Sequence, residues 1–170
     1  MSRNNGFTLI EISVVLFIIG MFVFIAVPRL QDATDYKVKS ASRRIITTVR
    51  YLYNEAAFKR KIFRLMFDLD EGEYWVEELR GNEFLVVNDP VMDRRKLPSG
   101  VFFKDVITER TYGSTLEERS EFILFLPTGF VEPAVIYLET EGGDIYTLET
   151  KPYTGGVRVY DEFVELLLIK

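Results

Sequence analysis

The chain has 170 residues, 21 basic against 26 acidic, a formal net charge of −5, and 48% hydrophobic and 14% aromatic content. That length accommodates one compact domain plus a further helix, and the acidic balance argues against general nucleic-acid binding while leaving room for a local basic patch. With no Cys and no His, disulfides, thiolate nucleophiles, Cys/His zinc sites and His-based acid–base catalysis are excluded.

The chain opens on a polar hexapeptide with one positive charge, Met1-Ser2-Arg3-Asn4-Asn5-Gly6. From Phe7 to Val27 only Thr8, Glu11 and Ser13 are polar. As a helix this stretch spans roughly 30 Å, the thickness of a bilayer core. The positive-inside rule predicts that the hexapeptide stays in the cytoplasm and that the bulk of the protein faces outward. A secretory signal peptide would need small residues just beyond the apolar run, and Ile25-Ala26-Val27-Pro28-Arg29-Leu30 offers no convincing pair. A plain anchor has no use for Glu11. A carboxylate set in lipid is expensive and persists where a partner or a function compensates for it.

Gly6, then Phe7-Thr8-Leu9-Ile10-Glu11, then an apolar helix to Pro28, resembles the class III leader of type IV pilins and pseudopilins. The resemblance implies that a prepilin peptidase cuts between Gly6 and Phe7 and methylates the new amine of Phe7. It also implies that the apolar run is retained, first as an inner-membrane anchor and then as the core of a helical filament. The physical logic can be argued from the residues themselves. Cleavage creates a charged amine at Phe7 where there is little water, and Glu11 lies one helical turn away. Glu11 can therefore neutralise its own terminus or that of a neighbour shifted along the axis, and pairing with the neighbour would set the register. Gly6 suits a bond that a peptidase must approach closely.

Pro28 falls where the apolar run ends, and inside a continuing helix it removes a backbone hydrogen bond, so a kink or local melting is expected there. Beyond it Leu30, Ala33, Val38, Ala41, Ile45, Val49, Leu52 and Ala56 recur at helical spacing, with Asp32, Asp35, Lys37, Lys39, Arg43 and Arg44 on the polar face. Lys59-Arg60-Lys61 closes this helix, placing positive charge at its carboxyl end. The Arg94-Arg95-Lys96 run, between Pro90 and Pro98, reads as a loop.

From Ile62 the period becomes alternating. About eight strands are expected, at 62–69, 74–79, 84–87, 101–106, 122–126, 135–138, 145–148 and 157–160. Turns fall at Gly72, Gly81-Asn82, Gly142-Gly143 and Gly155-Gly156, with Glu141-Gly142-Gly143-Asp144 the clearest hairpin. Phe122–Leu126 is apolar on both faces, which predicts a strand covered by the helix on one side and a second sheet on the other. The block from Phe125 to Asp161 resembles the carboxyl half of H-type minor pseudopilins of type II secretion, and of the related minor pilins.

Asp68-Leu69-Asp70-Glu71-Gly72-Glu73 gathers oxygen donors at a glycine turn. Its spacing does not fit an EF-hand loop, so a charged hairpin tip is expected and no metal is assigned. The last residues, Phe163–Lys170, are too apolar for a dangling end and should dock as a final strand or short helix, or contact a partner.

The expected fold is α+β: a long amino-terminal helix, transmembrane in its first half and amphipathic in its second, packed on a carboxyl-terminal two-layered antiparallel β-domain of pilin-like type. The segments are 1–6 (leader), 7–28 (transmembrane and assembly helix), 29–61 (amphipathic helix) and 62–170 (periplasmic β-sandwich-like domain). The resemblance implies a non-enzymatic minor pseudopilin of the type II secretion system, trimmed after Gly6 and assembled at the tip of a short periplasmic fibre that drives export. Its partners would be the prepilin peptidase, other major and minor pseudopilins, the inner-membrane secretion platform and, before assembly, inner-membrane lipid. Nucleic acid is not expected, and no cofactor. It would reside in the bacterial inner membrane, single-pass, with its globular domain in the periplasm. The alternative is a minor pilin of a type IV pilus or competence pseudopilus, serving adhesion or DNA uptake.

Overall fold

The computed structural model describes residues 8–87, 89, 92–111 and 122–165, and the side chains at 25–34 are not among those described. The chain forms two compact units, Met1–Tyr36 and Lys37–Lys170. The helix α1 (Leu9–Lys59) runs through the described part of the first and opens the second. The described strands are β1 (Phe63–Asp68), β2 (Glu73–Arg80), β3 (Glu83–Val86), β4 (Arg95–Lys96), β5 (Val101–Thr108), β6 (Phe122–Leu126), β7 (Phe130–Val131), β8 (Ala134–Thr140), β9 (Ile145–Lys151) and β10 (Gly156–Tyr160).

In the first unit α1 continues through Gly20 and Pro28, the latter with its side chain outside the described residues. Among the described residues no helix is long and apolar enough to cross a membrane. The span read from the sequence, Phe7–Val27, begins before those residues and ends where side chains are no longer described.

The second unit is built on two antiparallel sheets. One has the order β3-β2-β1-β6-β7, with β4 also pairing β2, and the other the order β10-β9-β8-β5. The α1 stripe Val38, Ala41, Ile45, Val49, Leu52 and Ala56, spaced by three or four residues, is buried throughout. It forms one core cluster with Phe63, Leu65 and Phe67 of β1, Ile123 and Phe125 of β6, Ile136 and Leu138 of β8, and Leu148 of β9. Phe67 and Tyr74 of the first sheet meet Phe103 of the second edge-on, with centroids 5.3 and 6.2 Å away, so aromatic contacts tie the two sheets together.

Several expectations are corrected. Arg94–Lys96 is not simply a loop, because Arg95 and Lys96 form β4 and pair with Tyr74 and Glu73. Lys96 also bonds Glu71 at 3.4 Å, and Arg94 bonds Glu73 at 3.0 Å while stacking 4.0 Å over Trp75. The acidic turn and the basic run, read separately in the sequence, neutralise each other. The strand covered on both faces is β8, not β6. Along β6 only Ile123 and Phe125 are buried, whereas Phe122, Leu124 and Leu126 stay half-buried. Five successive residues of β8, Ala134–Leu138, are buried, because the chain after β10 folds over its outer face.

That return of the chain is neither the strand nor the helix expected of the carboxyl end, at least as far as Glu165; residues 166–170 lie outside the described residues. Thr147 Oγ1 donates to Glu162 O at 2.7 Å and accepts from Val164 N at 3.1 Å. Tyr137 donates to Val164 O at 3.0 Å, and its ring stacks on Phe163 with centroids 5.1 Å apart.

Two backbone positions carry conformational constraint. Arg60, at φ 55°, occupies the left-handed position just past the end of α1, and Lys61 N donates to Ala56 O at 3.2 Å, closing a Schellman motif. Glycine usually fills that position, since a Cβ there costs about 1–2 kcal/mol. Gly155, at φ 60°, lies against Tyr53 of α1, and a Cβ there would come within 2.4 Å of the ring. Tyr53 in turn donates to Tyr153 O at 2.7 Å, fixing the β9–β10 turn on the helix.

Arg60→Gly should therefore raise stability by about 1 kcal/mol in denaturant titrations. Gly155→Ala, combining left-handed strain with a clash against a packed ring, should lower it by more than about 2 kcal/mol in the same assay.

Candidate functional site

The site singled out by the sequence is the start of α1. Gly6 and Phe7, the expected cleavage and methylation positions, lie outside the described residues. Glu11 occupies the first turn of α1. Thr8 caps that turn: its Oγ1 accepts from Glu11 N at 3.3 Å, and its carbonyl accepts from the same amide at 3.1 Å. Thr8 and Glu11 have the spacing of a capping box, a signal in Thr8-Leu9-Ile10-Glu11 that the sequence reading passed over. An acid in the first turn also suits the positive end of the helix dipole.

Ser13 Oγ donates to Leu9 O at 2.9 Å, so its hydroxyl is satisfied inside the helix and can enter an apolar setting cheaply. Thus two of the three polar side chains in the apolar run have internal partners. The Glu11 carboxylate has no cation beside it among the described residues. Around it the apolar side chains are bare: Ile10 is 72% exposed, Phe17 73% and Phe22 71%. A contiguous apolar surface of this kind marks a contact with lipid or protein rather than with water.

In the second unit, Ser40, Arg43, Arg44, Thr47 and Thr48 of α1 and Arg95 of β4 line a concave cleft of about 220 Å³. The two threonine hydroxyls are committed to the helix itself, Thr47 donating to Arg43 O at 2.8 Å and Thr48 to Arg44 O at 3.0 Å. The polar character of the cleft therefore comes chiefly from its guanidinium groups. The sequence placed Arg43 and Arg44 on the polar face of the helix but gave no means of bringing Arg95 to them, because β4 was not foreseen.

A third feature is the Arg110–Glu132 pair beside β6. Arg110 Nε and Nη2 donate to Glu132 Oε1 and Oε2 at 2.5 and 2.9 Å, and Leu124 N donates to Oε2 at 3.1 Å. The guanidinium stacks 4.1 Å over Phe122. With the Glu132 carboxylate buried and engaged by the guanidinium fork and Leu124 N, this pair is structural cement.

Residues 1–27 match the family model described as the prokaryotic N-terminal methylation motif. A curated relative, the type IV narrow pilus major component PilA5 of Thermus thermophilus, is 42% identical over 59 residues, which is 35% of this chain. The chain spans about half the length of that relative, 51%. Among solved structures, one of the minor pseudopilin EpsH from the type 2 secretion system of Vibrio cholerae aligns with a TM-score of 0.60 at 17% identity, covering 76% of this chain and 99% of that one. A second EpsH crystal structure aligns at 0.61 and 16% identity, covering 78% and 99%. The amino-terminal residues thus carry the methylation motif, and the fold is similar to that of EpsH.

Thr8→Ala should remove the cap without touching the apolar surface. Amide exchange in the first turn of α1, measured on the full chain in detergent, should quicken roughly fivefold, corresponding to a cap worth about 1 kcal/mol.

Proposed function

We propose that the chain is a minor pseudopilin of a type II secretion system, trimmed between Gly6 and Phe7, methylated at Phe7 and assembled into a short periplasmic fibre. The observation that carries this reading is the pairing of a bare apolar helix with one carboxylate, Glu11, that has no cation beside it among the described residues. A helix of this kind needs an apolar environment, and a carboxylate taken into that environment needs a positive partner. The amine created at Phe7 is such a partner, in the same chain or in the next. The match of residues 1–27 to the methylation motif supports the processing step, and the likeness to EpsH supports the minor-pseudopilin form.

In this reading the protein performs no chemistry of its own. It is a substrate of the prepilin peptidase and then a mechanical part. The apolar half of α1 is held in the inner membrane until the secretion platform extracts it into the fibre, where it packs against its counterparts in other pseudopilins. Pro28 would loosen the helix locally as subunits rise, since its missing amide leaves one carbonyl without a helical partner. The β-domain gives the subunit its identity, presenting to the periplasm a surface different from that of its neighbours.

A type IV pilus or competence fibre is the second reading, and the similarity to PilA5 over 59 residues is the observation that favours it. The two differ in readout: loss of the chain would abolish export of secreted proteins in the first case, and surface fibres, adhesion or DNA uptake in the second.

Glu11→Val should leave membrane insertion and cleavage intact while lowering the amount of chain recovered in sheared or cross-linked fibres by at least about tenfold, the cost of leaving an amine unpaired in an apolar core. Assembly at the level of the unmodified chain would remove the role given to this carboxylate.

A further inference from the structure

Arg64, Arg80, Arg94 and Arg110 each meet a glutamate, respectively Glu77, Glu78, Glu73 and Glu132. Arg43 and Arg44 do not, and among the described residues neither guanidinium group has a hydrogen-bond or ion-pair partner. In a chain of net charge −5 it is not a shortage of acids that leaves them unmatched.

Ser40, Arg43, Arg44, Thr47 and Thr48 stand at the i, i+3, i+4, i+7 and i+8 positions of α1, which is one face over successive turns. Strand β4 carries Arg95 to the same place, and these six residues line the cleft of about 220 Å³. Arg95 is engaged within the protein and adds its charge to the cleft. The Tyr74 phenol records the convergence: burial pushes it up from its ordinary value, while the charges of Arg95 and Arg44 pull it partly back.

No acid lines this cleft. Thr47 and Thr48 spend their hydroxyl protons on Arg43 O and Arg44 O, whereas the Ser40 hydroxyl has no partner among the described residues. The lining therefore offers donors: two guanidinium forks without partners, one hydroxyl and a third positive charge. A single carboxylate would leave most of that charge unmatched. A phosphate group brings three or more acceptor oxygens and roughly −1.5 to −2 charges at neutral pH, so oxygens on different sides can be met from α1 and β4 together. The cleft has several times the roughly 30 Å³ that one water occupies in the liquid, so such a group fits with part of its hydration retained. Its binding would also relieve the repulsion among three guanidinium groups gathered in one place.

We propose that the cleft formed by Arg43, Arg44 and Arg95 is a binding site for a phosphate group, carried by a soluble phosphate compound or by a phospholipid headgroup. The proposal goes beyond the fibre-subunit reading and does not rest on it. Lys39 and Arg50, also exposed on α1, lie outside the lining and have no part in the site.

The test titrates inorganic phosphate into the full chain in a non-ionic detergent, at fixed ionic strength so that general screening stays constant. Binding is read by calorimetry and by the arginine side-chain N–H resonances. One saturable site is expected, with the Arg43, Arg44 and Arg95 resonances moving together. R43Q/R44Q should weaken it at least about tenfold while leaving the helix content and melting of the unliganded chain unchanged. R43K/R44K should weaken it severalfold, because the charge survives and the planar fork does not. K39Q/R50Q removes the same charge from α1 outside the cleft and should leave the affinity within about twofold. Nanodiscs decide the source of the phosphate. Movement of the same three resonances in phosphatidylglycerol discs and not in phosphatidylcholine discs, with no phosphate added, assigns the site to a headgroup; movement only when phosphate is added assigns it to a soluble compound. The proposal is overturned by the absence of saturable binding, by equal weakening in R43Q/R44Q and K39Q/R50Q, or by acetate binding as tightly as phosphate.

Discussion

The folded unit depends on one stripe of α1. Val38, Ala41, Ile45, Val49, Leu52 and Ala56 are all but inaccessible to water, and strands of both sheets bury side chains in the same cluster. Neither sheet is self-sufficient, because each needs an apolar partner for its inner face and the helix provides the shared one. Alanines at 41 and 56 keep the helix close to the strands, while the branched residues between them fill the space. The turn holding Gly155 against Tyr53 and the left-handed Arg60 both serve this packing. The first brings the β9–β10 end onto the helix, and the second releases the chain into β1.

This division of labour gives one helix two different surfaces in succession. Over residues 9–24 the apolar side chains are exposed among the described residues; from Val38 onward the apolar stripe is buried in the core of the second unit. The first stretch presents apolar surface suited to a dry partner, lipid or protein. The second is permanent. Among the described residues the core cluster contains none of residues 9–24.

Much of this was legible in the sequence. The core stripe of α1 from Val38 to Ala56 is legible in spacing alone, Leu30 and Ala33 lying outside the described side chains, and the eight expected strands fall within three residues of their observed bounds, because period and punctuation are local properties, whereas the short β7 is not foreseen. What was missed is non-local. Arg95 and Lys96 are too few to show alternation, and they become a strand only because Glu73 and Tyr74 offer an edge. The five apolar letters of Phe122–Leu126 and those around Val135–Leu138 look alike on paper, and which of them is covered twice is decided by the path of the chain some thirty residues later. At the amino terminus the motif is plain in the residues themselves, and the Thr8–Glu11 spacing carries the cap as well.

The return of the chain after β10 shields the strands it crosses. Among the described residues its contacts with β8 and β9 include those of the Thr147 and Tyr137 hydroxyls and one stacked ring. Phe163 stacks on the Tyr137 ring and keeps that apolar surface from solvent. Residues 162–164 thus work as a cover on β8 and β9.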